Sequence, residues 1–329
     1  MTRRMACIQS SMLKRTLNKH CWKRFNSSTC TFTSKTRPVE ESSRVLRHLH
    51  FVKPFMPFKN GLDIQENIVR VQLDMKKLES NIKRQLTALH EQNMAINDQE
   101  QSIIDKIMEL KPNPVILTFQ FEPTYTGGKR IKKQITKEQI SEFEDFKPSG
   151  VTDPSKFVQL ERGGQITFHG PGQMVAYIIL DLKSFHQFPP KCYVNGIEEA
   201  ALNLLDGYGV KAQRTNDTGV WSCLNNGKLA SIGVNVNRNI TSHGICINVS
   251  PNLEYLNHFT LCGLPDAKAT SIQEILKDTK PNVGSNLVEG DETNTPSVDD
   301  VASSFANHMA KILGIEKVER MLIESHKLE

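Results

Sequence analysis

A glycine-rich segment constrains this chain more than any other feature. Residues 162–173 read Arg-Gly-Gly-Gln-Ile-Thr-Phe-His-Gly-Pro-Gly-Gln, and an apolar run follows them at once. Glycine lets the backbone approach a ligand closely, at an entropic cost that an ordinary turn does not require. An isolated Gly-Pro-Gly is usually a plain turn between two strands. The Arg-Gly-Gly and His-Gly-Pro-Gly-Gln pieces together instead favour a ligand-binding loop.

Charge divides the chain near residue 39. Nine of the 41 Lys and Arg lie in residues 1–39, where no acid occurs, and the remaining 32 are set against 36 Asp and Glu, a balance of −4. The mildly acidic composition of residues 40–329 does not favour nucleic-acid binding. The basic, Ser/Thr-rich composition of residues 1–39 is typical of a mitochondrial transit peptide, with a merely disordered basic tail as the alternative. We therefore expect import into the mitochondrial matrix.

The rest of the chain has the composition of a globular protein, with 38% hydrophobic residues overall. Its apolar runs fall short of the roughly 20 residues that span a bilayer, so we expect no membrane insertion. Apolar residues recur at helical spacing over residues 65–110 until two prolines stop the pattern. This periodicity predicts an N-terminal helical region at residues 40–113.

Short apolar strands and helices are mixed from residue 114 onwards. The pattern predicts an α+β catalytic domain over residues 114–329, with helices packed on a mixed β-sheet. Its strand at residues 174–182 is apolar nearly throughout and is expected to be buried on both faces. Polar residues at 132–154 and 277–296 are expected to form a surface insertion and a linker.

Two residues have neighbours that suit covalent catalysis. Lys228 lies in a Gly-Lys-Leu-Ala-Ser-Ile-Gly pattern, and Cys262 lies in a Leu-Cys-Gly step. A lysine among apolar groups gives up its proton more readily and can act as a base. A nearby thiol then gains the thiolate character that attack requires. Taken alone, a lysine is more often a surface charge and a cysteine a small core residue.

Cysteine usage gives little further information. The seven cysteines include no Cys-x-x-Cys pair, and their spacings fit neither a disulfide framework nor a zinc site. We expect reduced thiols and no metal.

These segments resemble the lipoyl(octanoyl) transferases, which are relatives of the biotin and lipoate protein ligases. The family's pieces occur in order: the strand of Lys228, a His-Gly-Ile-Cys-Ile-Asn strand that begins at His243, and the Cys-Gly step at Cys262. The likeness covers residues 114–275. It implies a mitochondrial, fungal-type member with a biotin/lipoate protein ligase-like catalytic domain.

The resemblance implies that Cys262 and Lys228 are catalytic and that no cofactor is used. The family's acyl-binding positions fall on Arg162, Gly163, Gly164, Gln165, Ile166, Thr167, Phe168, His169, Ser231, Ile232, Gly233, Gly244, Ile245 and Cys246. Two positions depart from the family pattern, with Leu261 in place of a common Pro and Cys246 in place of a small Ala. His169 and His243 are expected either to position substrate or to be structural.

The family moves an octanoyl group from octanoyl-acyl carrier protein to a lysine of a lipoyl domain. The implied acceptors are the lipoyl domains of 2-oxo-acid dehydrogenase complexes and the glycine cleavage H protein, in the first step of endogenous protein lipoylation. Cys262 would carry the acyl group as a thioester, and Lys228 would take a proton from the incoming amine. Because Lys129 is not followed by Ser or Thr, its segment is not a P-loop, consistent with a reaction that needs no ATP.

Three alternative functions remain open at the level of sequence. An ATP-dependent lipoate or biotin protein ligase would share the fold and would not need the thiol. A cysteine thioesterase would use Cys262 to release octanoate to water. A non-catalytic acyl or carrier-protein binder would be indifferent to the loss of Cys262.

Overall fold

The computed structural model describes residues 36–52, 55–152, 154–259, 267–279 and 295–324. Cys262, most of the expected transit peptide and most of the expected linker lie outside these residues.

Within the described residues, the strands form one eight-stranded sheet and one three-stranded sheet. In chain order they are β1 (Val45–Val52), β2 (Val115–Phe119), β3 (Thr124–Gly127), β4 (Lys156–Gln159), β5 (Ile166–His169), β6 (Gln173–Ile179), β7 (Ala212–Gln213), β8 (Val220–Ser222), β9 (Lys228–Asn237), β10 (Ile240–Asn248) and β11 (Lys317–Glu324). The large sheet has the order β11-β1-β2-β6-β10-β9-β8-β7, and the small sheet has the order β4-β3-β5. Parallel and antiparallel pairs occur in both sheets.

Helices lie on both faces of the large sheet and against the small sheet. They are α1 (Phe58–Glu91), α2 (Asp98–Glu109), α3 (Lys137–Asp145), α4 (Pro190–Gly207), α5 (Leu253–Asn257), α6 (Ile272–Thr279) and α7 (Val298–Leu313). Ala176 and Ile178 of β6 belong to the core formed with α4 and α7, whereas Val175 and Tyr177 belong to the core formed with α1. Alternate side chains of β6 therefore enter two different cores, which explains its unbroken apolar sequence. The predicted α+β fold and the two buried faces of this strand are confirmed.

The predicted helical region at residues 40–113 also contains β1, which the sequence analysis did not identify. Strand β1 runs parallel to both β2 and β11, so hydrogen bonds of the large sheet cross the expected boundary at residue 113. Its polar side chains are accommodated by partners from distant strands. His48 Nε2 and His50 Nδ1 lie 2.8 and 2.7 Å from the Thr118 hydroxyl on β2.

Two other boundaries in the structure differ slightly from those expected from the sequence. The helical stretch at 65–110 consists of two helices, because Asn97 caps a new helix by accepting a hydrogen bond from the backbone amide of Glu100. Residues 36–39 belong to the expected transit peptide, but they contact the rest of the fold: the amide of Val39 donates to the carbonyl of Ser184 at 2.9 Å. Among the described residues, even the 34-residue α1 lacks the apolar character that crossing a membrane requires.

Candidate active site

A buried arginine holds the glycine-rich loop between β4 and β5. The guanidinium of Arg162 donates to the carbonyl oxygens of Thr126 and Gly163 at 2.8 and 3.0 Å. The amide of Gly163 donates to the carbonyl of Val234 on β9 at 3.0 Å. Gly164 has a φ of +90°, a conformation that side chains with a Cβ rarely adopt. The loop is thereby attached to the small sheet at Thr126 and to the large sheet at Val234.

A cavity lies between this loop and strands β6, β9 and β10. Its wall contains Lys228 and all but two of the predicted substrate-binding residues, namely Arg162, Gly164, Gln165, Ile166, Thr167, His169, Ser231, Ile232, Gly233, Gly244, Ile245 and Cys246. Close packing at one point of this wall depends on glycine, since a Cβ on Gly244 would lie 2.3 Å from the carbonyl oxygen of Ala176. The fold thus brings four separate segments of the sequence around one space.

The other two predicted substrate-binding residues lie beside the cavity. Gly163 connects the loop to β9 through its backbone, as described above. Phe168 alternates with Thr167 and His169 along β5, and its side chain is only 1% exposed. Its ring stacks on Tyr255 with the centroids 4.3 Å apart, in a small core beneath the three-stranded sheet.

Lys228 is buried at the first residue of β9. Its Nζ donates to the carbonyl of Thr218 at 3.2 Å and lies 5.0 Å from the centroid of the Trp221 ring. A buried carboxylate supports the same turn, because Glu198 accepts a hydrogen bond from the amide of Gly219 at 3.0 Å. Burial raises the pKa of Glu198 from its usual value. The Lys228 amine is therefore held at the cavity wall by the Thr218 carbonyl and the Trp221 ring.

Two neutral histidines contribute to the wall. Burial, followed by the positive charge of Arg162, lowers the pKa of His169 to about 3 and that of His243 to about 3. Among the described residues, Nδ1 of each histidine and the hydroxyl of Tyr177 have no hydrogen-bond partner. These polar atoms are buried and uncharged at neutral pH, and the guanidinium of Arg162 on the same wall is bound to backbone carbonyls. The two histidines therefore present an uncharged surface to a ligand.

The cysteines differ sharply from one another. Cys246 is a free thiol, and burial raises its pKa far above the usual value, so it holds no appreciable thiolate at neutral pH. Cys192 and Cys223 are each disulfide-bonded. The expectation of reduced thiols is wrong for these two, because spacing along the chain does not set distances in the fold. Cys262 lies outside the described residues.

Sequence reasoning did not identify three residues of the wall. Leu160, Val175 and Tyr177 line the cavity, and His243, named earlier without an assigned role, lines it too. Leu160 and Val175 resemble any core residue in sequence. Tyr177 carried a usable signal, since a hydroxyl inside an otherwise apolar strand must meet either a partner or a ligand.

Comparisons with known proteins identify the family. Residues 91–310 match the lipoyl protein ligase A/B catalytic domain, which confirms the predicted ligase-like fold. The chain is 51% identical over 317 residues to the mitochondrial octanoyltransferase of Kluyveromyces lactis, covering 92% of this chain and 90% of that protein. It is 45% identical over 315 residues to the mitochondrial octanoyltransferase of Saccharomyces cerevisiae, covering 91% of each.

The name of a more distant relative also states the donor of the octanoyl group. The octanoyl-[acyl-carrier-protein]:protein N-octanoyltransferase of Danio rerio mitochondria is 34% identical over 172 residues, covering 52% of this chain and 71% of that protein. Its name agrees with the names of the two yeast relatives and with the match to the catalytic-domain family. The chain therefore belongs to the octanoyltransferases, the acyltransferases of protein lipoylation, and is a mitochondrial member of that family.

Proposed function

We propose that this protein transfers an octanoyl group from octanoyl-acyl carrier protein to a lysine of lipoyl domains, through a thioester on Cys262. The observation that carries the proposal is the cavity, in which the glycine loop, Lys228 and the His243 segment surround one space, and in which His169 and His243 are neutral. The name of the Danio rerio relative supports the carrier-protein donor. The proposed acceptors in the matrix are lipoyl domains of 2-oxo-acid dehydrogenase complexes and the glycine cleavage H protein.

The first half-reaction loads the enzyme. The thiolate of Cys262 attacks the carbonyl carbon of the donor thioester, and the bond from that carbon to the carrier's sulfur breaks. The proton given up by Cys262 passes through Lys228 to the departing carrier thiolate. A thioester is already activated, so this exchange requires no nucleotide.

The second half-reaction forms the amide. The neutral amine of the acceptor lysine attacks the acyl carbon, and the bond from that carbon to the sulfur of Cys262 breaks. Lys228 accepts the proton that the amine loses and returns it to the Cys262 thiolate. The enzyme thereby regains its initial protonation state.

Chain connectivity supports pairing these two residues. Lys268 follows Cys262 by six positions, and its carbonyl accepts a hydrogen bond from the amide of Lys228 at 2.8 Å. The amide of Thr270 in turn donates to the carbonyl of Lys228 at 3.0 Å. The segment that follows Cys262 is thus attached to the first residue of β9.

Intact-mass measurement tests the proposal. The wild-type chain, incubated with octanoyl-acyl carrier protein and no ATP, should gain one octanoyl group. Cys262→Ser should remove this adduct, whereas Cys246→Ala should retain it, because the Cys246 thiol is buried and protonated. An adduct that maps to Cys246 would overturn the assignment.

The same assay distinguishes the other functions. An absolute requirement for ATP would indicate a lipoate or biotin ligase. Release of free octanoate in the absence of any lipoyl domain would indicate a thioesterase. Carrier binding without an adduct, and unchanged by Cys262→Ser, would indicate a non-catalytic binder.

A further inference from the structure

Helix α1 touches the cavity wall at two residues on one of its sides. Phe58 and Gln65 are seven residues apart, which is close to two helical turns, and they are 2% and 1% exposed. The ring of Phe58 stacks on His169, with centroids 5.6 Å apart and planes 12° apart. The side-chain oxygen of Gln65 accepts a hydrogen bond from the backbone amide of His243 at 2.5 Å. Both residues precede the span 91–310 that matches the catalytic-domain family.

The backbone of His243 explains why this hydrogen bond matters. Its φ is +58°, in the left-handed region that non-glycine residues rarely adopt. It nevertheless lies inside β10, where Ser242 pairs with Asn235 and Gly244 pairs with Gly233. A strained residue in the middle of a strand persists only when its surroundings hold it there. The Gln65 side chain is one such restraint, because it accepts from the amide of the strained residue itself.

The conformation of His243 also shapes the cavity. Its imidazole lines the wall and meets the Tyr177 ring edge-on, with centroids 5.6 Å apart. The next residue, Gly244, packs closely against the backbone of Ala176. A change in the His243 backbone would therefore displace both the imidazole and the adjoining stretch of wall.

We propose that Gln65 is a positioning residue for acyl binding: its carboxamide oxygen holds His243 in the left-handed conformation, and so sets the shape of the wall that selects acyl-chain length. This inference rests on the proposed acyl-transfer function. Gln65 itself does not line the cavity. Its effect would be transmitted through the backbone of His243.

Gln65→Leu tests the inference, with Gln72→Leu as the matched control. Gln72 lies a further seven residues along α1, is 5% exposed, and lines the cleft between α1 and α2 instead of the acyl cavity. Acylation should be measured with hexanoyl, octanoyl and decanoyl carrier protein, normalised to the folded fraction. Gln65→Leu should slow octanoylation about tenfold, the scale expected when one buried donor loses its partner, and should flatten the chain-length preference. Gln72→Leu should change neither.

Gln65→Glu keeps an oxygen acceptor at the same place and should restore most of the rate and the preference. A second readout is the NMR shift of the His243 amide proton, which should move upfield in Gln65→Leu and downfield in Gln65→Glu. This readout covers the case in which Gln65→Leu is too unstable to assay. Wild-type rate and preference in folded Gln65→Leu, or an unchanged amide shift in Gln65→Glu, would overturn the inference.

The wild-type chain separates this inference from the function on which it rests. If the wild type acquires no octanoyl group, the proposed function fails. The His243 amide shift would still report whether Gln65 controls that backbone. If the wild type is acylated and only the effect of Gln65 is missing, the positioning role alone fails.

Discussion

Arg162 and Lys228 are both buried basic residues at the cavity, but their contacts differ. The Arg162 guanidinium donates to several backbone carbonyls and so joins the glycine loop to β3. The Lys228 amine donates to the carbonyl of Thr218 and lies against Trp221. A guanidinium stays protonated under all working conditions, whereas an amine can release and accept a proton. Arg162 therefore suits the structural role of joining the loop to β3, and Lys228 suits the proposed role of a base.

Replacing Lys228 tests whether this residue acts as the general base. Lys228→Ala and Lys228→Arg should both reduce transfer to a lipoyl domain by about 10²- to 10⁴-fold, the usual contribution of a general base. Lys228→Ala should retain the fold, because Arg214 also pairs with Glu198 and continues to compensate that buried carboxylate. Transfer rates should be measured beside thermal melting. An active arginine variant would exclude the general-base role.

The glycine loop is the element on which the site depends most. Gly164 has a φ of +90°, while the Cβ of a substituted Gly163 would meet its nearest atom, the carbonyl oxygen of Val234, at an ordinary 3.4 Å. Neighbouring glycines of one loop thus differ in backbone strain. A bulky residue at Gly164 would strain the fold and also occupy the cavity, so its two effects could not be separated. Single alanine substitutions at Gly163 and Gly164 isolate the effect of backbone strain.

Gly164→Ala should lower the free energy of unfolding by about 1 kcal/mol or more, because alanine must adopt a positive φ. Gly163→Ala should cost less, since its backbone conformation is open to alanine. Urea denaturation monitored by circular dichroism measures both. Equal stability of the two variants would contradict the assigned loop conformation.

At the scale of the whole molecule, buried histidines couple stability to pH, and the pKa is lowered most in three of them. The pKa values of His48, His169 and His243 are each lowered to about 3, first by burial. In the unfolded chain a histidine titrates near 6.5, so below that pH the unfolded state binds protons that the folded state does not. The contribution is fully present above pH 6.5 and is lost as the pH falls towards 3.

The free energy of unfolding should therefore decrease from pH 7 to pH 5, with a limiting slope of about 1.4 kcal/mol per pH unit for each buried histidine. Urea denaturation at pH 7, 6 and 5 measures this slope. His48→Leu, at a residue that does not line the cavity, should reduce the slope by one histidine's share even if it lowers stability overall. Stability that is constant or rising towards pH 5 would show that these histidines are not buried as described.

Elements with strong local signals could be predicted from the sequence. The local sequence around α7 is an example: its apolar residues recur at helical spacing, Ser297 caps its first turn and Gly314 follows its last residue. Strand β1 could not be predicted, because its histidines and arginine interrupt the apolar alternation. The side chains of His48 and His50 have their common partner in Thr118, about 70 residues away.

By itself, the sequence determined the glycine loop, the Lys228 strand and the family that their order indicates, because these are properties of neighbouring residues. Only the tertiary structure decided which side chains share the cavity. Tyr177 and His243 meet there because β6 and β10 pair, and Gln65 reaches His243 because α1 packs across the sheet, 178 residues away in the chain. Such contacts depend on packing and strand register, which no local pattern encodes.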